Sequence, residues 1–246
     1  MFYLVGLGVK GDLTLEGLSH LKKCDKIYVE FYTNILKTPI SELERKVGKE
    51  IVLLKREEVE GSLDFLREAS IKNMNIALLV VGDPLVATTH TDILLQARKL
   101  GIEFKIIHNS SILTAVGETG LQLYKFGRAT SIPYPDEDYK PTSFYDAISE
   151  NRKRGLHTLI FLDIKEDENR YMNPKEALEI LSKLGFSKDL VVCSRLSYED
   201  QKIIYGNLKD LVKLDYDFWG DPPHCLCIPS KLHFMEEEFL KGFRLK

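Results

Sequence analysis

The sequence predicts an α/β protein with two domains, and three features carry this prediction. Short apolar runs alternate with segments in which apolar residues recur every three or four positions, the pattern of strands followed by helices. The run from Ile76 to Val81 is apolar throughout, as expected for a parallel strand buried on both faces. The alternation breaks after His108, and 246 residues suffice for two modest cores. We therefore expect domains at residues 1–108 and 109–246.

The first domain shows a βαβ rhythm from its first residues. Strands are predicted at residues 2–7, 26–32, 50–54, 75–81 and 103–107. Helices are predicted at residues 14–22, 40–47, 63–72 and 91–99. Because helical crossovers join parallel strands in a right-handed sense, these strands should form one mostly parallel sheet.

The second domain begins with a different composition. Residues 109–120, "NSSILTAVGETG", predict a helix of small residues behind Asn and Ser caps, and residues 134–143 are the most turn-rich of the chain. Further helices are expected at residues 144–154, after Pro174 and up to Phe239, with strands at residues 157–164, 189–196, 201–207 and 223–229. We expect a second α/β unit with mixed strand directions.

Charge and hydropathy argue against two classes of partner. A net charge of −3 with interspersed signs gives no overall positive field for nucleic acid. No basic segment precedes the first apolar run, and no apolar run approaches the ~20 residues that a membrane span needs. The sequence therefore predicts a cytoplasmic protein without nucleic acid or membrane partners.

The four cysteines do not form a metal-binding pattern. Cys24, Cys193, Cys225 and Cys227 stand in apolar or strand-like segments. The C-x-C pair would lie on one face of a strand, without a second pair or a histidine cluster to complete a site. We interpret all four as packing residues and expect no metal.

The stretch "YLVGLGVKGD" at residues 3–12 matches the glycine fingerprint G-x-G-x-x-G of dinucleotide-binding folds. Glu30 lies where such folds place a ribose-binding carboxylate, so an NAD-dependent oxidoreductase is one alternative. Against it, the helical pattern begins only at Leu15, behind Asp12 or Thr14 as the N-cap, whereas the fingerprint requires a helix that starts on the glycine loop. Glu30 also has a simpler interpretation as a polar position at a strand edge.

A second informative stretch, "LLVVGDPLVATTH", covers residues 78–90. It places Asp83 at the carboxyl end of a buried strand, where parallel sheets bind ligands, and Pro84 keeps Asp83 out of a helical conformation. The alternative is an ordinary Asx turn followed by a Thr-rich helix cap. In the ligand-binding interpretation Asp83 binds a polar or cationic group from a loop position outside the core.

Together the two stretches resemble the tetrapyrrole methylase superfamily of S-adenosylmethionine-dependent methyltransferases, and within it the diphthine synthase family. The resemblance extends over nearly the whole chain. Its residues are "YLVGLG" (3–8), "KKCDKIYVEFYT" (22–33), "GDPLVATTH" (82–90), "HNSSILTAVGETGLQLYKFGRAT" (108–130), "PTSFYDAISEN" (141–151), "RGLHTLIFLDIK" (154–165) and "GDPPHCLCIP" (220–229).

The resemblance implies two α/β domains of tetrapyrrole-methylase type, with the methyl donor in the cleft between them, and a homodimer. It implies methylation of the amino nitrogen of the 3-amino-3-carboxypropyl-histidine of translation elongation factor 2, which gives trimethylated diphthine. By the same resemblance the donor S-adenosylmethionine contacts Val9, Asp83, Val86, Ser111, Ile112, Leu162, Ser194 and His224. Another methyltransferase of the same superfamily, or a non-catalytic module that binds the translation factor, remains an alternative.

Methyl transfer from a sulfonium is an in-line displacement that needs positioning rather than a covalent enzyme intermediate. The acceptor amine must be neutral to attack, so a carboxylate or a histidine near the cleft must take protons. The choice stays open, and the candidate histidines are His90, His108, His157 and His224. A cation for the acceptor carboxylate could be Lys125, Arg128 or Arg195, and the aromatic segment 134–146 is a plausible docking or dimer contact.

Overall fold

The computed structural model describes residues 1–30, 32, 35–36, 38–135, 141–165 and 168–246. Contacts divide the chain into two compact units, Met1–Ile112 and Leu113–Lys246. The sequence predicted a boundary after residue 108, slightly before the division between these two units. Part of the segment predicted to be a docking or dimer contact, residues 136–140, lies outside the described residues.

The first unit contains a parallel sheet of five strands, in the order β3-β2-β4-β1-β5. The strands are β1 (Phe2–Gly6), β2 (Lys26–Glu30), β3 (Ile51–Leu54), β4 (Ile76–Val80) and β5 (Phe104–Ile107). All pairs run in the same direction because each connection passes through a helical segment. The parallel sheet expected from the βαβ rhythm is confirmed.

Helices cover both faces of this sheet. They are α1 (Leu15–Leu21), α2 (Ile40–Val47), α3 (Asp64–Lys72) and α4 (Thr91–Lys99), with a π-helical turn at Glu58–Ser62. Alternate residues of β4 point to opposite faces. Leu78 therefore joins the core formed with α3 and α4, whereas Leu79 joins the core formed with α1 and α2.

The second unit is built on a mixed sheet in the order β11-β10-β12-β7-β6. Its strands are β6 (Thr130–Ile132), β7 (Thr158–Leu162), β10 (Asp189–Ser194), β11 (Lys202–Asn207) and β12 (His224–Ile228), and β8 (Ile164–Lys165) with β9 (Arg170–Tyr171) forms a separate hairpin. Its helices are α5 (Ile112–Ala115), which begins at the unit boundary, α6 (Ser143–Lys153), α7 (Pro174–Lys183), α8 (Leu208–Leu211) and α9 (Phe234–Lys241). Among these described strands, β6 and β7 pair in parallel and the other neighbours in the five-stranded sheet pair antiparallel, so the mixed strand directions are confirmed.

The four cysteines are buried and unpaired, and Cys193 on β10 lies opposite Cys225 on β12. Within the described ranges, no group of three or more His, Cys, Asp or Glu residues could hold a metal ion. No helix in the described part of the chain combines the length and the apolar character needed to cross a bilayer.

Candidate functional site

Three loops of the first unit converge where the parallel strands β1, β4 and β5 end. The turns after β1 and β4 are joined directly, because the N–H of Gly8 donates to the carbonyl of Gly82 at 3.0 Å and the N–H of Gly82 donates back to Gly8 at 2.9 Å. Parallel sheets bind ligands at this edge. The two glycine-containing motifs of the sequence thus form one continuous stretch of backbone.

The close approach of the two turns explains why residue 6 is a glycine. It also predicts that a larger residue at this position destabilises the protein. A Cβ added at Gly6 would lie 2.7 Å from the carbonyl oxygen of Gly82 and 2.9 Å from Cδ of Pro84. Because the nearest atom belongs to the backbone, Gly6→Ala should lower the free energy of unfolding by about 1–3 kcal/mol in urea denaturation. Gly61→Ala is the matched control, since an added Cβ there meets no atom within 4 Å. Equal stability of the two variants would contradict the account.

Asp83 holds two of the converging loops together. Its Oδ1 accepts from the N–H of Leu85 at 3.1 Å, and its Oδ2 accepts from the N–H of Asn109 at 3.2 Å. Nδ1 of His108 lies 2.7 Å from the same Oδ2. Asp83 is only 8% exposed, so its expected position outside the core is wrong. Burial of this carboxylate is tolerated because two backbone N–H groups donate hydrogen bonds to it.

His108 differs from the other three histidines considered as proton acceptors, because its side chain is 67% exposed. Its ring is oriented by a buried carboxylate while most of its surface faces solvent. An imidazole in this arrangement can both hold one orientation and exchange protons. The contact between His108 and Asp83 depends on two separate strand ends and was not visible in the sequence.

Asn109 is a site residue that the sequence analysis did not select. Its Nδ2 donates to the carbonyl of Gly6 at 3.0 Å and to the carbonyl of Asp12 at 2.7 Å. Its Oδ1 accepts from the N–H of Ser110 at 2.8 Å. Asn109 therefore fastens the turn after β1 to the segment after β5. Its position just past the end of a parallel strand, in the Asn and Ser segment before α5, was the available signal.

The other predicted donor residues of the first unit are Val9, Val86, Ser111 and Ile112. The N–H of Val9 donates to Oγ of Ser110 at 3.3 Å, and the N–H of Val86 donates to the carbonyl of Asp83 at 3.2 Å. Ser111 is buried, and Ile112 is the first residue of α5. Val86 is thus bonded to Asp83 itself. Val9 is bonded to Ser110, the residue that precedes Ser111 in the sequence.

The geometry does not favour a dinucleotide site. Helix α1 begins at Leu15, where Thr14 is the N-cap and accepts from the N–H of Gly17. A Cβ at Gly11 would lie 2.6 Å from Leu36. The third glycine is therefore needed for contact with another loop rather than for the start of a helix. Glu30 is fully buried on β2, an interior strand, so its interpretation as a polar residue at a strand edge is wrong.

The second unit brings three predicted donor residues to one edge of its own sheet. Leu162 ends β7, Ser194 ends β10, and His224 begins β12, which runs antiparallel to both. Ser194 and His224 lie opposite each other, and Nδ1 of His224 is 3.0 Å from Oγ of Ser194. Burial lowers the pKa of His224 to about 4; Asp221 opposes this shift and Arg195 adds to it. His224 is therefore neutral at physiological pH.

Backbone strain accompanies predicted donor residues in both units. Ala87, directly after Val86, has φ 57°, and Arg195, directly after Ser194, has φ 54°. Non-glycine residues adopt this conformation at a cost of order 1–3 kcal/mol, and such residues concentrate at functional sites. The strained residues thus directly follow two of the predicted donor residues, Val86 and Ser194.

The three cations considered for the acceptor carboxylate are already engaged or lie elsewhere. Arg195 is buried and bonds Asp200 through Nε at 2.8 Å. Lys125 forms an ion pair with the buried Glu236. Arg128 precedes β6, and its carbonyl accepts from Asn151, the residue whose amide also bonds Thr158 at the start of β7. Arg128 therefore lies toward the opposite end of β7 from Leu162.

Two of the candidate histidines, His90 and His157, are buried and contact polar groups of the protein itself. His90 is 1% exposed, with Nδ1 lying 3.1 Å from the carbonyl of Pro84. His157 is fully buried, and its Nε2 lies 3.0 Å from Glu236 while its Nδ1 accepts from the N–H of Ser230 at 2.9 Å. Burial lowers the pKa of both rings. Neither ring has the exposure that a proton acceptor for an external amine requires.

Comparison with known proteins decides between the alternatives. The family model of the tetrapyrrole (corrin/porphyrin) methylases matches residues 1–212. A diphthine synthase of Methanocaldococcus jannaschii is 47% identical, with 98% of each chain covered. A diphthine synthase crystal structure is 34% identical at a TM-score of 0.88, covering 99% of this chain and 95% of the other. The chain belongs to the diphthine synthases of the tetrapyrrole methylase family.

A second solved structure shows the same similarity. The crystal structure of a candidate diphthine synthase from Entamoeba histolytica superposes at a TM-score of 0.89 with 37% sequence identity, covering 100% of this chain and 99% of the other. The α/β architecture inferred from the sequence is thus that of the diphthine synthases. The dinucleotide-binding interpretation of the glycine motif is not retained.

Proposed function

We propose that this diphthine synthase family member transfers methyl groups from S-adenosylmethionine to the amino nitrogen of the 3-amino-3-carboxypropyl-histidine of translation elongation factor 2, giving trimethylated diphthine. The observation that supports this most is the joining of the two glycine loops at Gly8 and Gly82 beside the buried Asp83. The names of relatives that match almost the entire chain support the acceptor.

The residues at the two sheet edges fit the chemistry of the donor. Asp83 supplies a carboxylate for a cationic or hydroxyl group, Ser110 and Ser111 supply hydroxyls, and the glycine loops supply backbone groups. We propose that donor contacts come from Val9, Asp83, Val86, Ser111 and Ile112 in the first unit and from Leu162, Ser194 and His224 in the second. The predicted position of the donor between the units stays a prediction.

The chain's own task in the reaction is to position the amine and remove its proton. When bound, the donor supplies a sulfonium methyl group for in-line displacement by a neutral amine. His108 takes the proton that the amine loses before each transfer, and Asp83 orients the ring through the 2.7 Å contact between its Oδ2 and Nδ1 of His108. No proton is lost after the third transfer, because the quaternary nitrogen has none.

The remaining predictions about partners concern assembly and location. We propose a homodimer that acts on the translation factor in the cytoplasm, as the resemblance implied. Elongation factor 2 presents the modified histidine as part of a folded protein, so the acceptor is a macromolecule rather than a free metabolite.

Calorimetric titration tests the donor site. The protein should bind adenosylmethionine and adenosylhomocysteine, and it should not bind NADH. Asp83→Asn removes the charge while keeping the shape, and loss of a charged hydrogen-bond partner should weaken donor binding about ten- to hundred-fold. Asp92→Asn, on the exposed face of α4, is the matched control and should leave the affinity unchanged. Unchanged affinity in the Asp83 variant would remove this residue from the donor site.

A further inference from the structure

A cavity of about 520 Å³ is lined by residues of the second unit. It is lined by the loop after β6, by β9 and by the loop that leads to β12. The residues that matter for its chemistry are Tyr134, Arg170, Tyr171, Tyr216, Asp217 and His224. The cavity therefore adjoins His224, a proposed donor contact. Of the other five residues, only Tyr134 belongs to a segment that the sequence analysis selected, the aromatic segment 134–146.

Arg170 is the cation of this cavity. Its guanidinium lies over the ring of Tyr134, 3.6 Å from the centroid, which fixes the plane of the group. Its one ion pair with a described residue is a long one, 3.9 Å to Oε1 of Glu176. Most of its N–H groups thus lack a close acceptor in the described chain. A planar guanidinium with free donors is suited to bidentate binding of a carboxylate.

The hydroxyl of Tyr134 is a second and independent sign of a ligand. Tyr134 is 4% exposed, and its hydroxyl has no hydrogen-bond partner among the described residues. A buried hydroxyl without a partner is unfavourable by about 1–3 kcal/mol, so few are left in folded proteins. The hydroxyl oxygen is itself fully buried. A ligand oxygen would therefore reach it only after the half-exposed side chain of Arg170, which lies over the ring, shifts.

The rest of the lining suits a positive group. Asp217 is exposed and forms no ion pair with any described residue. Tyr171 and Tyr216 line the same cavity. Aromatic faces attract ammonium groups, including quaternary ones that cannot donate hydrogen bonds. The cavity thus offers one site for a carboxylate and another for an ammonium group.

We propose that this cavity binds an α-amino-acid group, with the carboxylate on Arg170 and Tyr134 and the amino or trimethylammonium group near Asp217 and the tyrosine rings. The inference rests on the proposed function, because two molecules of that reaction carry such a group: the aminocarboxypropyl arm of the acceptor and the methionine end of the donor. Arg170, rather than Lys125, Arg128 or Arg195, is then the cation that recognises the carboxylate.

Kinetics and calorimetry of Arg170→Gln distinguish the two sources. If the cavity holds the acceptor arm, KM for the modified elongation factor rises at least about ten-fold while Kd for adenosylhomocysteine stays constant. If it holds the methionine end of the donor, Kd for adenosylhomocysteine rises instead. Arg152→Gln is the control, since Arg152 also lies over an aromatic ring, Phe186, but outside this cavity. No change in either constant would overturn the proposal.

Tyr134→Phe separates binding from a structural role. It removes a hydroxyl that has no partner, so the thermal stability should not fall, whereas KM or Kd should change in the same direction as in Arg170→Gln. A drop in stability with unchanged constants would contradict the assignment of this hydroxyl to a ligand.

Direct titration keeps this test independent of methyl transfer. NMR titration with 2-aminobutyrate and its N,N,N-trimethyl derivative, the smallest fragments of substrate and product, should show saturable binding that Arg170→Gln abolishes. Binding of the fragments without methyl transfer would refute only the proposed function. Methyl transfer without an effect of Arg170→Gln on fragments, KM or Kd would refute only the cavity's role.

Discussion

Replacing His108 with asparagine is expected to lower kcat for methyl transfer about 100-fold or more, while the affinity for adenosylhomocysteine changes little. General base catalysis contributes about 10²- to 10⁴-fold, and asparagine cannot take the proton of the amine. The side chain is 67% exposed, so the substitution leaves no cavity in the core. Single-turnover kinetics with modified elongation factor 2 measures the effect.

His20→Asn is the matched control for this prediction. His20 lies on α1 beside Lys105, at the start of β5, whereas His108 follows the end of the same strand. The control should retain normal kcat. The split between kcat and KM adds a readout that a structural role would not give, because kcat should fall in the His108 variant while KM stays near the wild-type value. Wild-type kcat in that variant would exclude His108 as the proton acceptor.

Replacing Glu236 with glutamine is expected to lower the free energy of unfolding by about 3–5 kcal/mol, the usual effect of breaking a buried ion pair. Glu236 is fully buried on α9. Its carboxylate accepts from the N–H of Gln122 at 2.8 Å and from the N–H of His233 at 2.7 Å, and it binds His157 and Lys125. The NH₂ group of the glutamine side chain cannot accept hydrogen bonds, so it would face N–H donors that the carboxylate of Glu236 now accepts from. Urea denaturation at pH 7 measures the difference.

The same carboxylate makes stability depend on pH. Burial opposes ionisation of Glu236, but the N–H of His233, Lys125 and the other donors outweigh it and lower its pKa from 4.5 to about 2. Below pH 4.5 the unfolded chain therefore binds a proton that the folded chain does not. The stabilisation is complete above pH 4.5 and is lost as the pH falls toward 2. Glu236→Gln should remove this contribution to the pH dependence of the free energy of unfolding.

Glu238→Gln is the control on the same helix, because Glu238 is 73% exposed and its one ion pair with a described residue is the exposed pair with Lys241. It should change the free energy of unfolding by less than about 0.5 kcal/mol. Equal pH dependence of stability in the wild type and the Glu236 variant between pH 4.5 and 3 would contradict the role of this network.

Local sequence patterns were sufficient to predict much of the fold. Helices α2 and α4 have the predicted bounds, because their apolar spacing and flanking residues are local signals. The parallel sheet followed from the βαβ rhythm. The hairpin of β8 and β9 and the short strand β6 were missed, because strands of two or three residues carry too little periodicity to be recognised.

The candidate site was only partly accessible from the sequence. Asp83 was selected because a strand end and a proline fix its position locally. Its bonds to His108 and Asn109 span some 25 residues and depend on the order of strands in the sheet. The stacking of Arg170 on Tyr134 joins two loops and carries no local signal. Burial of Glu30 was likewise unexpected, since a charged residue at the end of a strand is more often exposed.

The most direct test of the proposed activity is the intact mass of elongation factor 2 that carries the unmethylated histidine intermediate, measured after incubation with this protein and adenosylmethionine. A gain of three methyl groups is the predicted result, and elongation factor 2 without the intermediate, as the control, should gain none. An unchanged mass, in the presence of calorimetrically demonstrated donor binding, would contradict methylation of this acceptor and would favour a module that binds the factor without modifying it.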